Sequence, residues 1–590
     1  MQITLDEMIQ RVRESEAKIH ESPETLAMLQ GAADAISDMA RDSKKITVLT
    51  DYDADGITSG YIIQKTLETL NPECEVDVQP NDRRGSYGLS EHALQSDNFG
   101  KDFGDGLIVL DMGSNQIPLL EKAYGKGAVV IDHHLVESKE VQETIKNSPN
   151  YCNCHVLSDN DTENAQYCTA GLAYRMYELT GCKELADEKQ NNTVLAIAAI
   201  GTAADMVNVL DENSFNRDIL KAGVAVIDEA SPDNFDRVIG YMLSKVDISE
   251  TTTAHELAFN AGAFLNAGGR MSEVLEENGA ARVYKALVAP ESETATYLEI
   301  DKLKVVNTAR KDMVKSITAS PEYQQQLEAE RYGDRKDNNV AVVALPPDTP
   351  HAFAGLVAAK FEEAADKAVI CLSQNSKTGN WSGSARNPET NNFSLMEFMR
   401  SALEGSDIDI KYGGHSNAMG VSALSDEDFE KFKTLITEKS AELPNHGKKS
   451  MEEITTIPLS DLMSSDAISK IKELEPIGIG LQLPLVHIEG EFKGSSPISR
   501  TSNTDRWRNV KINQEGVNRT VKDWSFDERT YVPDGKGNVS SLAEVSINKW
   551  NGEHIEFSAK FDRADYLDRL KEREASFPEH DSKDNDRVPF

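Results

Sequence analysis

Cysteine is scarce in this chain, with six in 590 residues: Cys74, Cys152, Cys154, Cys168, Cys182 and Cys371. So few in so long a chain exclude a disulfide-stapled fold and point to a reducing compartment. Cys152-Asn153-Cys154-His155, with Cys168 further on, lacks the spacing of a zinc knuckle. Long apolar runs are also missing. The longest nearly apolar stretch, residues 194–204, is too short to span a bilayer. The N-terminus reads as a charged helix and not as a secretory signal. These absences predict a cytoplasmic protein with no membrane partner. Positive charge is in deficit too: 62 Lys and Arg stand against 99 Asp and Glu, a formal net charge of -37. That excludes a basic coat for nucleic acid over the whole surface, though not a local basic groove.

Three to five domains are expected at this length. Residues 1–45 read as helices. The apolar run 46–50, an Asp-rich loop and the helical pattern over 57–70 make a first strand–loop–helix unit. The pattern repeats with a strand at 107–110 and a helix near 116–124, then a strand at 128–131 and a helix near 136–146. Such alternation implies a parallel sheet with covered faces, whose ligands bind beyond the carboxyl ends of its strands. Residues 221–335 read as a helical connector that finishes in one long charged helix over 292–331. A second α/β unit spans 336–445 and ends near Gly413-Gly414-His415. After a polar linker at 444–451, the short β-like runs of 452–568 fit a small barrel. Residues 569–590 are too polar to pack and are expected to be disordered. The fold class is therefore α/β: a parallel-sheet domain over 1–220, a helical connector, a smaller α/β domain and an OB-like β-barrel.

What the chain does have is acid at the ends of apolar runs. Asp51-Tyr52-Asp53-Ala54-Asp55-Gly56 closes one, Asp111 a second, Asp132-His133-His134 a third, and Asp205 a fourth. A sheet would deliver them to one edge. Hydrolysis of a phosphodiester at neutral pH needs an activated water and charge neutralisation, which two divalent ions about 3.5–4 Å apart can supply. Asp53 and Asp55, two residues apart, can each serve a different ion. Asp111 from a neighbouring strand is the natural bridge, and His133 and Asp205 complete the second ion. Asp51 reads as a helix cap and Asp132 as an acceptor that orients a histidine, both outside the ligand set. Oxygen and imidazole donors together suit two Mn2+ ions, with Mg2+ as a substitute.

This order of motifs resembles the DHH phosphoesterases. Asp51-Tyr52-Asp53-Ala54-Asp55-Gly56-Ile57-Thr58-Ser59, Asp111, Asp132-His133-His134 and Asp205 look like their successive motifs, and Gly413-Gly414-His415 like the signature of their DHH-associated domain. Tyr87-Gly88-Leu89, Asn266-Ala267-Gly268-Gly269-Arg270-Met271, Asn307-Thr308-Ala309-Arg310, Gly383-Ser384-Ala385-Arg386 and Leu474-Glu475-Pro476-Ile477-Gly478-Ile479-Gly480 resemble the RecJ branch, the single-strand-specific 5′→3′ exonucleases. The resemblance runs to about residue 565. It implies that Asp53, Asp55, Asp111, His133 and Asp205 bind the metals. It places His134 against substrate, and Arg270, Arg386 and His415 on the scissile phosphate or its neighbours. Asp111, His134, Arg386 and His415 are thus the expected catalytic residues. Arg83, Arg84, Tyr87, Asn307 and Arg310 are further expected substrate contacts. Two stretches depart from the family pattern. Relatives usually carry an Arg two residues after the Pro, whereas Pro80 is followed here by Asn81, Asp82, Arg83 and Arg84. Leu481-Gln482-Leu483-Pro484 stands where relatives tend to carry Asn and Pro.

The barrel region holds the clearest basic patch. Lys493, Arg500, Arg506, Arg508, Lys511, Arg519 and Lys522 are interleaved with Phe492, Trp507 and Trp524. Arg506, Trp507, Arg508 and Trp524 are expected to bind a single strand by charge and base stacking, as a unit separable from the metal motifs. The expected function is a manganese-dependent exonuclease that takes single-stranded DNA to 5′-mononucleotides in repair, recombination or replication. Two alternatives stand beside it: a phosphodiesterase for short oligoribonucleotides or cyclic dinucleotides, and a non-enzymatic replisome scaffold. The Pro589-Phe590 terminus after an acidic run reads first as a solubilising tail. Its sharper reading is a docking peptide for a repair partner, in the manner of single-strand-binding proteins.

Overall fold

The computed structural model describes residues 2–84, 89, 103–136, 138–157, 166–229, 232–246, 248, 252–288, 293–331, 333–336, 338–388, 391–414, 417–443, 454–497, 508–514, 516–523, 538–548 and 553–562. Tyr87, His415, Arg500, Arg506, Trp507, Trp524 and the 569–590 tail lie outside them.

Two helices open the chain, Leu5–Glu16 and Pro23–Asp42. Thr4 and Glu7 form a reciprocal capping box on the first. Ser22 caps the second ahead of Pro23. Five strands follow: β1 (Lys45–Thr50), β2 (Glu75–Pro80), β3 (Gly106–Leu110), β4 (Val129–Ile131) and β5 (Tyr151–Cys152). They form an all-parallel sheet in the order β2-β1-β3-β4-β5. The strands β1, β3 and β4 are apolar runs buried on both faces, as helices on both sides require. Apolar runs alone do not predict β2. Its sequence, Glu-Val-Asp-Val-Gln-Pro, alternates as a half-wet edge strand does. The strand order reverses between β1 and β3. In open α/β sheets that crevice is where ligands bind.

Asp205 does not end a strand. The apolar run before it is the buried helix Glu188–Ala204, and Asp205 is its C-cap. Only three of the four acidic clusters therefore come from strand ends. Sequence 194–204 is apolar all round because the helix is enclosed, and a buried helix and a buried strand look alike in so short a run.

The connector is helical, but the single charged helix expected over 292–331 is two, Glu293–Thr318 and Pro321–Arg331. The break has a local cause. Ser320 Oγ accepts from Tyr323 N–H at 3.3 Å, and Pro321 sits where a helix can start but could not continue. Next comes a mixed sheet of β6 (Val340–Ala344), β7 (Ala368–Gln374), β8 (Trp381–Arg386), β9 (Lys411–Gly414) and β10 (Ala418–Leu424), ordered β6-β7-β8-β10-β9. Its β6–β7 pair is parallel and its other pairs antiparallel. Ala267, Met271, Val306, Ala352 and Phe353 form a buried apolar seam that joins this unit to the connector.

The C-terminal part is not β throughout. After β11 (Thr456–Ile457) come two short helices, Leu459–Leu462 and Ala467–Leu474. These pack on the first helix of the chain. Ile3 N–H donates to Thr456 O at 3.0 Å, Leu5 N–H to Asp461 at 3.2 Å, and Lys470 pairs with Asp6. Strands β12 (Leu485–Pro497), β13 (Arg508–Gln514), β14 (Val517–Asp523), β15 (Asn538–Asn548) and β16 (His554–Asp562) then close into a five-stranded barrel in the order β12-β13-β14-β16-β15, with β15 back on β12. Only β14 and β16 run parallel in it. That is the Greek-key order of an OB barrel.

Candidate metal centre

The carboxyl ends of β1, β3 and β4 and the end of the Glu188–Ala204 helix converge on one buried point. Asp53 is the N-cap of the helix Ala54–Leu70, where its Oδ1 accepts from Asp55 N–H at 3.1 Å and Gly56 N–H at 3.2 Å. The cap is thus Asp53 and not Asp51. Asp51 is 1% exposed, and its carboxylate meets no donor beyond the backbone of Tyr52. Asp55 accepts from Thr169 N–H at 2.8 Å and Ala170 N–H at 2.7 Å, at the start of the helix Thr169–Leu179. Asp111 sits in the left-handed region at φ 60° and accepts from Thr169 Oγ1 at 3.2 Å. That backbone costs a non-glycine residue about 1–2 kcal/mol. It turns the side chain off the sheet edge.

His133 Nε2 stands 3.4 Å from Asp111, 3.7 Å from Asp55 and 3.7 Å from Asp205. Ligands about 2.1 Å from one ion lie about 3.0–3.5 Å from each other, so these are separations that a shared cation leaves little altered. Three sets of donor atoms lie within 4.8 Å of one another: Asp111 with His133 and His134, Asp55 with Cys168 and Asp205, and Asp51 with Asp53 and Asp111. Asp111 belongs to two of them. The donors present therefore fit two cations with a shared carboxylate. The buried Asp51 carboxylate adds to the fit, since an acceptor-only group with so few donors is costly unless a cation meets it. Asp51 is nearer to the donors than its sequence suggests. Among the described residues, no such set includes Cys152 or Cys154.

Asp132 has a different environment. It accepts from Ser114 N–H at 3.0 Å, His133 N–H at 2.8 Å and His134 N–H at 3.2 Å, and its Oδ1 is 2.8 Å from His134 Nδ1. Burial works against its charge. The bond to His134, the two imidazoles and Ser114 N–H nevertheless hold it well below the ordinary carboxylate range. Burial likewise opposes the charged His134, yet Asp132, Asp205 and Asp53 raise it to about 9.

Without cations the remaining acids repel. Burial, then Asp53, pushes Asp51 up to about 8 and Asp55 to about 6. Burial and the neighbouring carboxylates raise Asp111 and Asp205 well above the usual range. An unfolded chain sheds these protons near about pH 4. Between there and about pH 8 the metal-free fold holds more protons than the unfolded chain, so this cluster costs it stability as pH rises. A divalent ion removes that cost and competes with protons. Melting curves in EDTA and in Mn2+ should therefore diverge, with a Tm gap that widens from about pH 5 to about pH 8. A gap that is absent, or constant with pH, refutes the centre.

Arginines gather beside the acids. Arg270 lies on the helix Ala263–Leu275 and donates to Ala352 O at 3.1 Å. Burial, then the charges of Arg83 and Arg310, with Arg386 adding to them, bring it down to about 9, while Asp53 pulls the other way. Arg83 stacks on the Tyr52 ring at 4.8 Å. Arg310 is held by Asn307 Oδ1 at 3.0 Å. Arg386 ends β8, and a Cβ at Gly355 would come within 2.8 Å of its Nη2. Gly269 has the same kind of task, since a Cβ there would meet Tyr52 O at 2.8 Å. Asn266 accepts from Ala54 N–H at 2.9 Å and so locks the connector to the metal loop. Arg84 points elsewhere, into an ion pair with Asp82. Arg508 opens β13 on the barrel, opposite Asp523. Sequence reasoning misses Thr169, and it names Cys168 and Asn266 without placing either beside the acids. They look like core and helix residues, and only the fold brings them to the acids.

The DHH family N-terminal domain model matches residues 45–202, and the DHHA1 domain model matches 337–442. The single-stranded-DNA-specific exonuclease RecJ of Bacillus subtilis is 26% identical over 543 residues, with 89% of this chain and 62% of that protein covered. RecJ of Thermus thermophilus is 24% identical over 556 residues, with 90% and 70% covered. This chain is a DHH/DHHA1 protein and a distant homologue of RecJ. It spans less than two thirds of the Bacillus protein's length. A crystal structure of Thermus thermophilus RecJ with Mn2+ shares the fold, with a TM-score of 0.65 at 22% identity over 90% of this chain and 71% of that one. The same protein has been solved with Mg2+. In this DHH/DHHA1 chain the acids from Asp51 to Asp132 and His133 come from the DHH unit, Asp205 from just past its end, Arg386 from the DHHA1 unit, and Arg270 and Arg310 from the helices between them. No described helix is long and apolar enough to cross a membrane.

Proposed function

We propose that this chain is a two-metal exonuclease that hydrolyses single-stranded DNA from the 5′ end to 5′-mononucleotides, in repair, recombination or replication. The observation that carries the reading is an acid cluster at the β1/β3 switch point with Arg83 and Arg270 beside it, and with Arg310 and Arg386 gathered around Arg270. Carboxylates alone would suit any cation. Carboxylates facing guanidinium groups suit a phosphate held between metal and arginine. Single-strand specificity is the activity of the RecJ relatives, and the 5′→3′ direction follows from the family resemblance.

Two divalent ions, when bound, supply an activated water at neutral pH and neutralise phosphate charge. Mn2+ fits the oxygen and imidazole donors, with Mg2+ as a substitute. Asp53, Asp55, Asp111, His133 and Asp205 would hold them, with Asp111 shared. Asp132 fixes His134 through Nδ1 and so orients the imidazole to serve as a donor to a phosphate oxygen. The arginine forks orient the phosphate and oppose charge as it develops on the oxygens. Their partial burial strengthens that interaction.

The test is digestion of 5′- and 3′-labelled single strands, with a duplex and a dinucleotide as controls. The expected outcome is release of 5′-labelled mononucleotide first, only with Mn2+ or Mg2+, with little attack on the duplex. Preferential turnover of the dinucleotide, or release from the 3′ end, overturns the reading.

A further inference from the structure

We infer that Cys168 is a metal ligand of this centre, which gives one of its two positions an affinity for thiophilic divalent cations such as Zn2+, Cd2+ or Co2+. The inference rests on the metal-centre reading above and extends it to one residue and one ion class.

The Cys168 sulfur lies with carboxylate oxygens of Asp55 and Asp205 inside a 4.8 Å group. His133 Nε2 is 3.7 Å from oxygens of the same two acids. One thiol and two carboxylates thus form a three-donor group, with the His133 imidazole beside its two acids, and mixed S, N and O donors suit a tetrahedral ion. The hard acids alone favour Mn2+ or Mg2+. A thiolate shifts preference toward the softer ions. The buried Asp51 carboxylate in a neighbouring donor group, with no donor beyond the Tyr52 backbone, is an independent sign that this pocket is built around cationic charge.

Cys168 has a second task, and that task makes the choice of cysteine informative. It is the N-cap of the helix Thr169–Leu179, where its sulfur accepts from Gly171 N–H at 3.3 Å. Serine, threonine, asparagine and aspartate are the preferred caps. A sulfur here is therefore not explained by the cap. The thiol also bonds the Asp55 carboxylate, a contact that a shared cation would replace, and its contact to Thr202 Oγ1 at 3.6 Å can reverse, because the hydroxyl can donate to a bound thiolate. The Gly171 N–H would remain as a donor to it, so ligation leaves the helix start intact. The other cysteines are buried away from the acids and enter no donor group among the described residues.

The test uses the full chain loaded with Co2+, compared with Cys168→Ser. Serine keeps the cap and the shape, so the variant is expected to fold as well as the parent. The expected result is a near-ultraviolet thiolate-to-cobalt charge-transfer band in the parent that disappears in Cys168→Ser, while the visible d–d bands persist in both. Cd2+ affinity should fall about tenfold or more, and Mn2+ affinity should change by less than about threefold. Cobalt binding with d–d bands but no charge-transfer band overturns the Cys168 assignment and leaves the metal centre standing. Failure of the parent to bind cobalt at all overturns both. A band that survives in Cys168→Ser assigns the thiolate to another cysteine and rejects this one.

Discussion

Asp111→Asn should lower hydrolysis of a single-stranded oligomer by about a thousandfold or more in saturating Mn2+, in a protein that still folds. Asp111 is the one carboxylate that sits in two of the three donor groups, with His133 and His134 on one side and Asp51 and Asp53 on the other. Loss of its charge uncouples the two positions, and neither alone can present a nucleophile to a phosphate neutralised from the other side. Asparagine is a cleaner replacement than alanine for a physical reason. The residue lies at φ 60°, a region that asparagine tolerates and alanine does not. The fold should not suffer, because burial and four neighbouring acids already disfavour the ionised group. In EDTA at about pH 8 the variant should melt at or above the parent. Near-native rates from a folded Asp111→Asn protein would sink the two-metal assignment. Asp205→Asn should behave in the same direction.

Much of this was legible in the residues, and what was not has identifiable causes. The parallel sheet could be read because β1, β3 and β4 are short apolar runs, each closed by acid. The edge strand β2 could not, because half its side chains face solvent and its apolar signal is only two valines. The order of acids along the chain pointed to a candidate metal site. It did not reveal that Asp205 arrives on a helix, since burial all round erases the 3.6-residue period. Arg270 and Arg386 were anticipated from a resemblance, not from pattern. Singly they read as surface arginines, and only the fold brings Arg83 and Arg310 to the same place. Glycines carried real information once the fold was known. Gly269 and Gly355 are fixed by Tyr52 O and the Arg386 guanidinium, contacts that a linear pattern cannot contain. Asp51 and Asp53 show the limit in miniature. Two acids two residues apart share the same local sequence, yet one caps a helix and the other meets no donor beyond the Tyr52 backbone.

The largest stability effect is expected at a residue that carries no chemistry. Arg217→Ala should cost about 3 kcal/mol or more, or prevent folding at physiological temperature. Its side chain is 1% exposed. Its guanidinium donates to three backbone carbonyls of the Leu474–Pro476 turn, Leu474 at 3.2 Å, Glu475 at 3.1 Å and Pro476 at 3.0 Å, and to Glu16 Oε1 at 2.7 Å. Removal leaves three carbonyls without that donor and Glu16 with Lys221 alone. Each lost bond is worth about 1 kcal/mol, and more where the acceptor stays buried. Lysine cannot restore the site, because one ammonium lacks the spread of a planar fork. The same contacts revise the expectation that everything after about residue 452 is a detachable nucleic-acid module. The turn that Arg217 holds continues to Ile479, whose carbonyl accepts from Val209 N–H at 2.8 Å, four residues past Asp205. Residues 454–481 are thus part of the frame of the metal centre, and only the barrel from β12 onward is a candidate for separate removal. A chain ended at 451 should melt early and lose activity even on short oligomers, and Arg217→Ala should do the same with the barrel still present. Thermal melts and short-oligomer rates of both variants decide it: parent-like melting and turnover in the 451 truncation would show that the frame ends before the turn.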